Sequence, residues 1–286
     1  MNTEKINLSE SIYYRLKNIA QTKKKPIQKI LKYYAMERFL YRLSISRYKK
    51  SFFLKGGLML MVWNPSTHRP TVDIDFLVKA NNSIKNILQI IKNICSQKVQ
   101  DGVYFDSSDI ILKESQIETK YTGLSARFSA HLHTAKLPLR IDIGFSDKIF
   151  PKPANINYPT LLELPAPILQ GYTPETLISE KLHAMIKLGL ANSRMKDFYD
   201  IWTLINQFQI KPENITPIIK KVFANRKTTI KEFPKAFTKD FYNSSKTIER
   251  WGNFLKEIGH EDIPFEKVIS DIKKFFLSIF NDNKTL

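Results

Sequence analysis

Apolar residues recur at helical spacing near both ends of the chain and at a spacing of two in between. Residues 8–45 show the i, i+3, i+4 pattern twice, on either side of a Lys-Lys-Lys-Pro run at residues 23–26, which predicts two helices. From residue 52 to residue 145, short segments alternate apolar and polar positions, as is typical of strands with one buried face. The clearest lie at residues 71–78, 125–132 and 139–145, and one helical segment, residues 84–95, lies between them.

The pattern changes again at a proline-rich segment in the middle of the chain. Six prolines lie between residues 150 and 174. Because proline disrupts helices and central strands, this segment is predicted to be an extended connector. All later apolar patterns have helical periodicity, and the candidate helices are residues 174–188, 194–208, 215–223, 246–258 and 264–280.

These patterns predict a mixed α+β protein made of four segments. The segments are an N-terminal basic helical segment at residues 1–47, a core sheet with flanking helices at residues 48–150, the proline-rich connector at residues 151–173 and a helical C-terminal lobe at residues 174–286. No internal repeat is present. We therefore look for function mainly in the polar positions of the core sheet and of the first helices after the connector.

The charge of the chain is strongly positive and unevenly distributed. Lys and Arg outnumber Asp and Glu by 45 to 27, and residues 1–56 alone carry 14 basic and 3 acidic side chains. A basic surface favours an anionic partner such as a nucleic acid, although a solvated, lysine-rich surface would give the same composition. The run Lys23, Lys24 and Lys25 is the predicted RNA contact.

Composition also excludes several classes of protein. The longest apolar runs, such as residues 58–63, are far shorter than the roughly 20 residues that span a bilayer, so no membrane segment is predicted. The first ten residues have neither the basic start nor the apolar stretch of a signal peptide. Because Cys95 is the single cysteine, no internal disulfide can form, and we expect the protein in the reduced cytoplasm.

Aspartates lie on the polar faces of two predicted strands. Alternation in residues 71–78 places Asp73 and Asp75 on one face, about 6.6 Å apart along the backbone. Asp142 has the same position in the strand at residues 139–145. If the two strands are neighbours, three carboxylates converge, and hard oxygen ligands at this spacing suit Mg²⁺ or Mn²⁺. Solvent-facing aspartates on amphipathic strands are the simpler interpretation of the same pattern.

Paired glycines precede the first of these strands. Gly56 and Gly57 end an apolar run, and fifteen residues separate Gly57 from Asp73. Glycine allows a backbone to approach phosphate groups closely, and a helix that begins there would offer them its N-terminal amides. An ordinary turn is the alternative. The chain has only nine glycines, however, so two in a row before an acidic strand favour nucleotide binding.

The order of these motifs resembles the polymerase-beta-type nucleotidyltransferase superfamily, in which three carboxylates hold the metal ions of nucleotidyl transfer. Six sequence blocks between residues 38 and 200 resemble the AbiEii/AbiGii toxin family of type IV toxin–antitoxin and abortive-infection systems. The resemblance as a whole covers roughly residues 10–260, in family order. The blocks are Arg-Phe-Leu-Tyr-Arg-Leu-Ser at 38–44, Phe-Leu-Lys-Gly-Gly at 53–57, Thr-Val-Asp-Ile-Asp at 71–75, Ile-Asp-Ile-Gly-Phe at 141–145, Ser-Glu-Lys-Leu at 179–182 and Arg-Met-Lys-Asp-Phe-Tyr-Asp at 194–200.

The resemblance implies a fold, a reaction and partners. The fold would be a polymerase-beta-like core sheet, and the reaction would transfer NMP from an NTP to an acceptor hydroxyl, above all at the 3′ end of tRNA, with Mg²⁺ or Mn²⁺ as cofactor. RNA and a cognate antitoxin are the implied partners. Two alternatives stay open: nucleotidylation of a protein or small molecule on the same core, and a non-catalytic nucleic-acid-binding protein with a vestigial acidic strand.

In the core segment, the resemblance implies a role for each motif residue. Asp73, Asp75 and Asp142 would be the metal ligands, and Asp73 and Asp75 would also be catalytic. Gly56 and Gly57 would contact the nucleotide. Gly57 stands where many members have serine, so backbone contact alone is expected there.

The helical half carries a second set of candidates. The helix at residues 174–188 places Lys181 in a row of apolar residues, where an unpaired ammonium is costly, so an anionic partner is expected. A snorkelling lysine or a pair with Glu180 or Asp200 would also explain it. The resemblance implies that Lys181 is catalytic and binds the nucleotide, and that Asp197 is catalytic. Arg194 is a further nucleotide-binding candidate, or only the i,i+3 partner of Asp197.

Overall fold

The computed structural model describes two compact units of the chain. It covers residues 2–65, 69–118, 121–146, 148–208, 210–229, 234–260 and 263–277. One unit consists of residues 1–147 with 153–171, and the other of residues 148–152 with 172–286. The helices and the mixed sheet found in these ranges confirm the predicted α+β class.

The first unit contains four helices and eight strands within the described residues. Their bounds are α1 Asn2–Thr22, α2 Ile27–Ile45, β1 Phe52–Lys55, α3 Gly57–Trp63, β2 Ile74–Val78, α4 Ile84–Cys95, β3 Val103–Phe105, β4 Ile111–Glu118, β5 Tyr121–Leu132, β6 Ala135–Phe145, β7 Ala154–Asn157 and β8 Ile168–Gly171. The two predicted N-terminal helices and the helix before Cys95 are thus confirmed.

All eight strands join in one mixed sheet. Their order is β3-β5-β6-β2-β1-β8-β7, with β4 paired to β5. The central strand β2 pairs antiparallel with β1 and parallel with β6. In the register of β2 and β6, Asp75 lies directly opposite Asp142. The two aspartate-bearing strands are therefore neighbours, which is the condition for convergence of the carboxylates.

Strand β2 is shorter than the alternating pattern predicts. It begins at Ile74 rather than at residue 71, and Val72 is 55% exposed instead of belonging to the buried face. The backbone N–H of Thr71 donates to the Tyr33 hydroxyl at 3.2 Å, so this part of the chain is held by a side chain and not by a neighbouring strand. Asp73 therefore lies one residue before the strand.

The proline-rich segment belongs to the sheet instead of only connecting two parts of the chain. Strands β7 and β8 pair with each other, and β8 also pairs parallel with β1. The prolines at 151, 153, 159, 165 and 167 all lie outside these strands. Both strands therefore keep every backbone donor, which explains how a segment rich in proline can add two strands.

Helix α2 lies in the core of the first unit. Twelve of its residues are buried, and the ring of Phe39 lies 5.9 and 5.7 Å from those of Phe105 and Phe128. Arg42 is also buried, where its guanidinium pairs with both oxygens of Asp101 at 2.6 and 3.0 Å. The N-terminal helices thus share one unit with the sheet.

The second unit contains helices and no strand within its described residues. Its helices are α5 Pro174–Leu188, α6 Met195–Gln207, α7 Pro212–Asn225, α8 Lys239–Tyr242, α9 Ser245–Ile258 and α10 Phe265–Phe275. Phe198 on α6 is the centre of an aromatic core with Phe237, Phe241 and Phe265. Of the last predicted helix, residues 278–280 lie outside the described residues. In the described ranges, no helix is long and apolar enough to cross a membrane.

Candidate active site

Near the start of β2, beside β6, the carboxylates of three aspartates raise the pKa of Arg140. The Nε of Arg140 donates to Asp142 Oδ1 at 3.0 Å. Partial burial lowers the pKa of Arg140, but the carboxylates of Asp142, Asp73 and Asp75 outweigh it and hold this pKa above its ordinary value. All three carboxylates therefore act electrostatically on the same arginine, and their joint binding of a metal ion stays a prediction.

These carboxylates do not form a closed three-ligand metal site. Among the described residues, no group of three or more His, Cys, Asp and Glu side chains is arranged to hold a metal ion. At Asp142 the neutralising cation is Arg140 instead. The donor chemistry nevertheless suits Mg²⁺, because this ion is usually bound by one or two carboxylates together with substrate phosphates and water. Asp75 and Asp142, side by side on neighbouring strands, offer such a pair.

The turn between β1 and α3 is shaped around the carboxylate of Asp75. Gly56 has φ +67° and ψ −151°, a region that is essentially restricted to glycine. A Cβ at this position would overlap the Asp75 carboxylate. A Cβ at Gly57 would lie 2.6 Å from Thr71 Oγ1. Packing alone therefore explains why both positions are glycine. Contact of either glycine with a nucleotide stays a prediction.

Asp73 acts electrostatically on two cations, Lys32 and Arg140, neither of which was a candidate from the sequence. Burial lowers the pKa of Lys32 on α2, and the carboxylate of Asp73 partly opposes this effect. Lys32, Arg127 and Arg140 line one cavity of about 400 Å³. Arg140 carried a sequence signal, since it lies two residues before Asp142 on the same strand face. Lys32 carried none, because tertiary structure alone brings α2 near Asp73.

In the second unit, Lys181 is the centre of a buried ion cluster. Its Nζ contacts Asp197 Oδ1 and lies 2.9 Å from Asp200 Oδ2. Arg194 Nε donates to Asp197 Oδ2 at 2.6 Å. The side chains of Lys181, Asp197 and Asp200 are at most 9% exposed. Glu180, the other partner considered from the sequence, accepts from the Tyr172 hydroxyl at 2.9 Å.

The cations of this cluster favour the ionised form of Asp197. Burial by itself raises the pKa of Asp197, but Lys181 and Arg194 outweigh it and hold this pKa below its ordinary value. The ion pairs explain how a lysine lies among apolar neighbours. Asp200 contacts Lys181 directly, as one of the partners considered from the sequence, and it lies three residues after Asp197 on α6. The nucleotide-binding roles of Lys181 and Arg194 stay predictions.

The predicted RNA contact lies in the turn between α1 and α2. Lys23, Lys24 and Lys25 are all exposed. Lys24 has φ +49° in this turn. Exposure is necessary for a phosphate contact but is also ordinary for lysine, so RNA binding by this turn stays a prediction.

Comparison with known proteins identifies the family. JHP933 from Helicobacter pylori has a crystal structure that matches with a TM-score of 0.52 at 13% identity, over 90% of this chain and 94% of that one. The structure of a nucleotidyltransferase candidate from H. pylori matches with a TM-score of 0.51 at 13% identity, over 90% and 96%. No curated protein matches at a significant level. The family model described as the nucleotidyl transferase AbiEii toxin of type IV toxin–antitoxin systems matches residues 38–271. The chain belongs to this family.

Proposed function

We propose that this AbiEii-family chain transfers NMP from an NTP to an acceptor hydroxyl at the 3′ end of tRNA, and that a divalent cation is required. The observation that carries the proposal is the register of β2 and β6, in which Asp75 lies opposite Asp142. Two carboxylates side by side on neighbouring strands are donors of the kind that bind Mg²⁺ together with substrate phosphates and water. Simple surface acids would not need to be neighbours.

The residues of the sheet have distinct tasks in this proposal. Asp75 and Asp142 would hold Mg²⁺ or Mn²⁺, and Asp73 would be the third carboxylate. When bound, the ion supplies activation of the attacking oxygen and stabilisation of the leaving one. Gly56 positions Asp75, because only glycine fits beside that carboxylate. Arg140 orients Asp142 through the 3.0 Å hydrogen bond.

In the second unit, the ion cluster would hold the Lys181 side chain in place for the nucleotide. We propose that Lys181 binds the phosphates of the NTP, together with Arg194. Asp197 and Asp200 both contact the Lys181 ammonium, so this long side chain is restrained before a ligand binds. Restraint of this kind lowers the entropy cost of binding. Family membership supports the assignment, since the Ser-Glu-Lys-Leu block lies inside the matched residues 38–271.

The acceptor and the partner follow from charge and family. A net charge of +18 favours a polyanionic acceptor over a small one. Lys23, Lys24 and Lys25 would contact the RNA backbone, and their replacement by glutamine should weaken RNA binding similarly for all sequences and flatten its salt dependence. The family of type IV toxins implies a cognate antitoxin. A protein acceptor is the alternative to RNA.

The test is incubation of the purified protein with each labelled NTP, Mg²⁺ and total RNA. We expect label on tRNA, loss of this label in Asp75→Asn, and retention in Asp240→Asn, which removes an exposed acid from α8. Label on protein alone would favour the rival acceptor. Absence of label with every NTP, in protein shown to be folded, would contradict the proposal.

A further inference from the structure

A row of basic and aromatic side chains continues from the carboxylates along one face of the sheet. Cross-strand register and alternation place its members on the same face as Asp142 and Asp75. We name this set the basic row, and it consists of Arg127 and His131 on β5, Arg140 and Lys136 on β6 and Tyr104 on β3. Asp142 pairs with Ser125 at one end of the row, and Tyr104 pairs with His131 at the other.

Two arginines stand directly opposite each other near the carboxylates. Arg127 pairs with Arg140 in the register of β5 and β6, and like charges in this position are destabilising. The Arg140 side chain is bonded to Asp142, whereas the side chain of Arg127 makes no hydrogen bond or ion pair with a residue that the structure describes. The cavity of about 400 Å³ lies at this pair and is also lined by Lys32 and by Asp109, whose Oδ1 accepts from the backbone N–H of Ser129 at 3.1 Å. A phosphate in the cavity would relieve the repulsion.

The other end of the row offers an aromatic surface. Tyr104 is 63% exposed, and its ring lies 6.1 Å from that of His131. Exposed aromatic rings on a sheet are typical platforms for stacking of unpaired bases. His131 lies six positions after Ser125 on β5, which is about 20 Å of strand. Sheet surfaces of this kind accommodate two or three bases.

We propose that the basic row binds the single-stranded 3′ end of the nucleic-acid acceptor. Arg127 and Lys32 would bind a phosphate of its backbone, and Tyr104 would stack on a base two or three nucleotides from the end. The terminal hydroxyl would then lie beside Asp75 and Asp142. The inference rests on the proposed function and gives it a specific acceptor surface.

The order of groups along the row favours a polymer over an NTP. A single NTP has its phosphates and its base within one nucleotide, whereas cations and the Tyr104 ring are spread over about 20 Å. A base-paired end would not expose a base to Tyr104, so the row selects an unpaired end. The row would then be a binding surface that is separate from the exposed turn at residues 23–25.

Binding is measured directly, without NTP, by fluorescence anisotropy of short labelled RNAs. Arg127→Glu should bind a single-stranded oligonucleotide at least tenfold more weakly than the parent protein, with a smaller salt dependence. Lys85→Glu is the matched control, because it reverses one exposed charge on α4 and should leave the affinity within twofold. Tyr104→Leu should weaken binding about tenfold, since base stacking is lost, while Tyr104→Phe should bind like the parent protein.

Two comparisons complete the test. A duplex with an unpaired 3′ end should bind the parent protein more tightly than the blunt duplex, and this preference should disappear in Tyr104→Leu. In transfer assays, Arg127→Glu should raise the KM for the acceptor and leave the KM for NTP unchanged. Because binding needs no catalysis, a parent protein that binds RNA through Arg127 and Tyr104 but transfers nothing would contradict the proposed function alone. Equal RNA affinity of parent and Arg127→Glu, no RNA binding, or a raised KM for NTP would overturn the inference.

Discussion

The carboxylates of the sheet and the ion cluster around Lys181 contain the same residue types but differ in charge balance and burial. In the sheet, three acids act on Arg140, and the side chains of Arg140 and Asp142 are 40% and 22% exposed. In the cluster, Lys181 and Arg194 pair with Asp197 and Asp200, whose carboxylates are at most 1% exposed. The first set is acidic and partly open to solvent. The second is balanced in charge, and its acids and Lys181 are buried while Arg194 is partly exposed.

This difference predicts opposite responses to mutation. Removal of one acid from the sheet relieves repulsion, so stability is kept while any function of the acids is lost. Removal of one member from the cluster leaves a buried charge without its counterion, which is strongly destabilising. Measurements of stability and of activity therefore distinguish the two regions.

The largest expected effect is the loss of stability in Asp197→Ala. Breaking a buried ion pair typically costs 3–5 kcal/mol, so we expect the free energy of unfolding to fall by about that amount. Denaturant unfolding followed by circular dichroism measures it, and Asp240→Ala, which removes an exposed acid, is the control. A change below about 1 kcal/mol in Asp197→Ala would show that the cluster is not a structural element.

The next effect is on catalysis. Asp75→Asn and Asp142→Asn should each lower the rate of NMP transfer by about 10²- to 10³-fold or more, the usual loss when one charged group of a transition-state site is removed. Asp75→Asn should keep or raise the free energy of unfolding, because one negative charge is gone. Asp142→Asn also loses the partly exposed pair with Arg140, so its free energy of unfolding should fall by about 1 kcal/mol or less. Initial rates with labelled NTP, measured beside unfolding curves, test both halves. A rate within threefold of the parent protein would return these acids to ordinary surface residues.

A smaller effect is expected at the glycine that supports Asp75. Gly56→Ala places a Cβ in a glycine-only backbone region and against the Asp75 carboxylate, so we expect a loss of about 1–3 kcal/mol together with reduced transfer. Gly252→Ala is the matched control. It lies in α9 with no atom within 4 Å of an added Cβ, so it should be neutral or slightly stabilising. Similar unfolding curves for both variants would be evidence against the tight turn.

The smallest effect is a pH dependence of stability. The pKa of Asp197 is lower in the folded protein than its ordinary value. Its stabilising contribution is therefore complete above the unfolded pKa of about 3.9 and is lost as the pH falls through the folded value. Between pH 6 and pH 3, the parent protein should lose more stability than Asp197→Asn. Parallel curves of unfolding free energy against pH for the two proteins would argue against the depressed pKa.

Local patterns predicted most of the helices because their signals are local. The bounds of α4 and α5 agree with the sequence prediction, and both helices begin after a residue whose side chain caps them, Ser83 and Thr173. The start of β2 was wrong because Val72 continues the alternation by chance. The contact between Thr71 and Tyr33 that ends the strand joins distant parts of the chain.

For the candidate site, too, sequence predicted the features that depend on local patterns. Alternation placed Asp75 and Asp142 on the polar faces of their strands, and the resemblance implied that they belong to one metal site. Sequence could not predict the electrostatic effect of Asp73 on Lys32, because it depends on how α2 packs against the sheet. Nor could it choose between the partners of Lys181, since the direction of its side chain depends on α6.

Binding of Mn²⁺, followed by electron paramagnetic resonance, tests the central claim most directly. The claim is that the acidic set of the sheet needs a divalent cation and that the balanced Lys181 cluster does not. We predict that the parent protein and Asp197→Asn bind Mn²⁺ with the same affinity, and that Asp75→Asn and Asp142→Asn each bind it at least tenfold more weakly. Equal Mn²⁺ affinity in the parent protein and Asp75→Asn, or a loss confined to Asp197→Asn, would contradict the account.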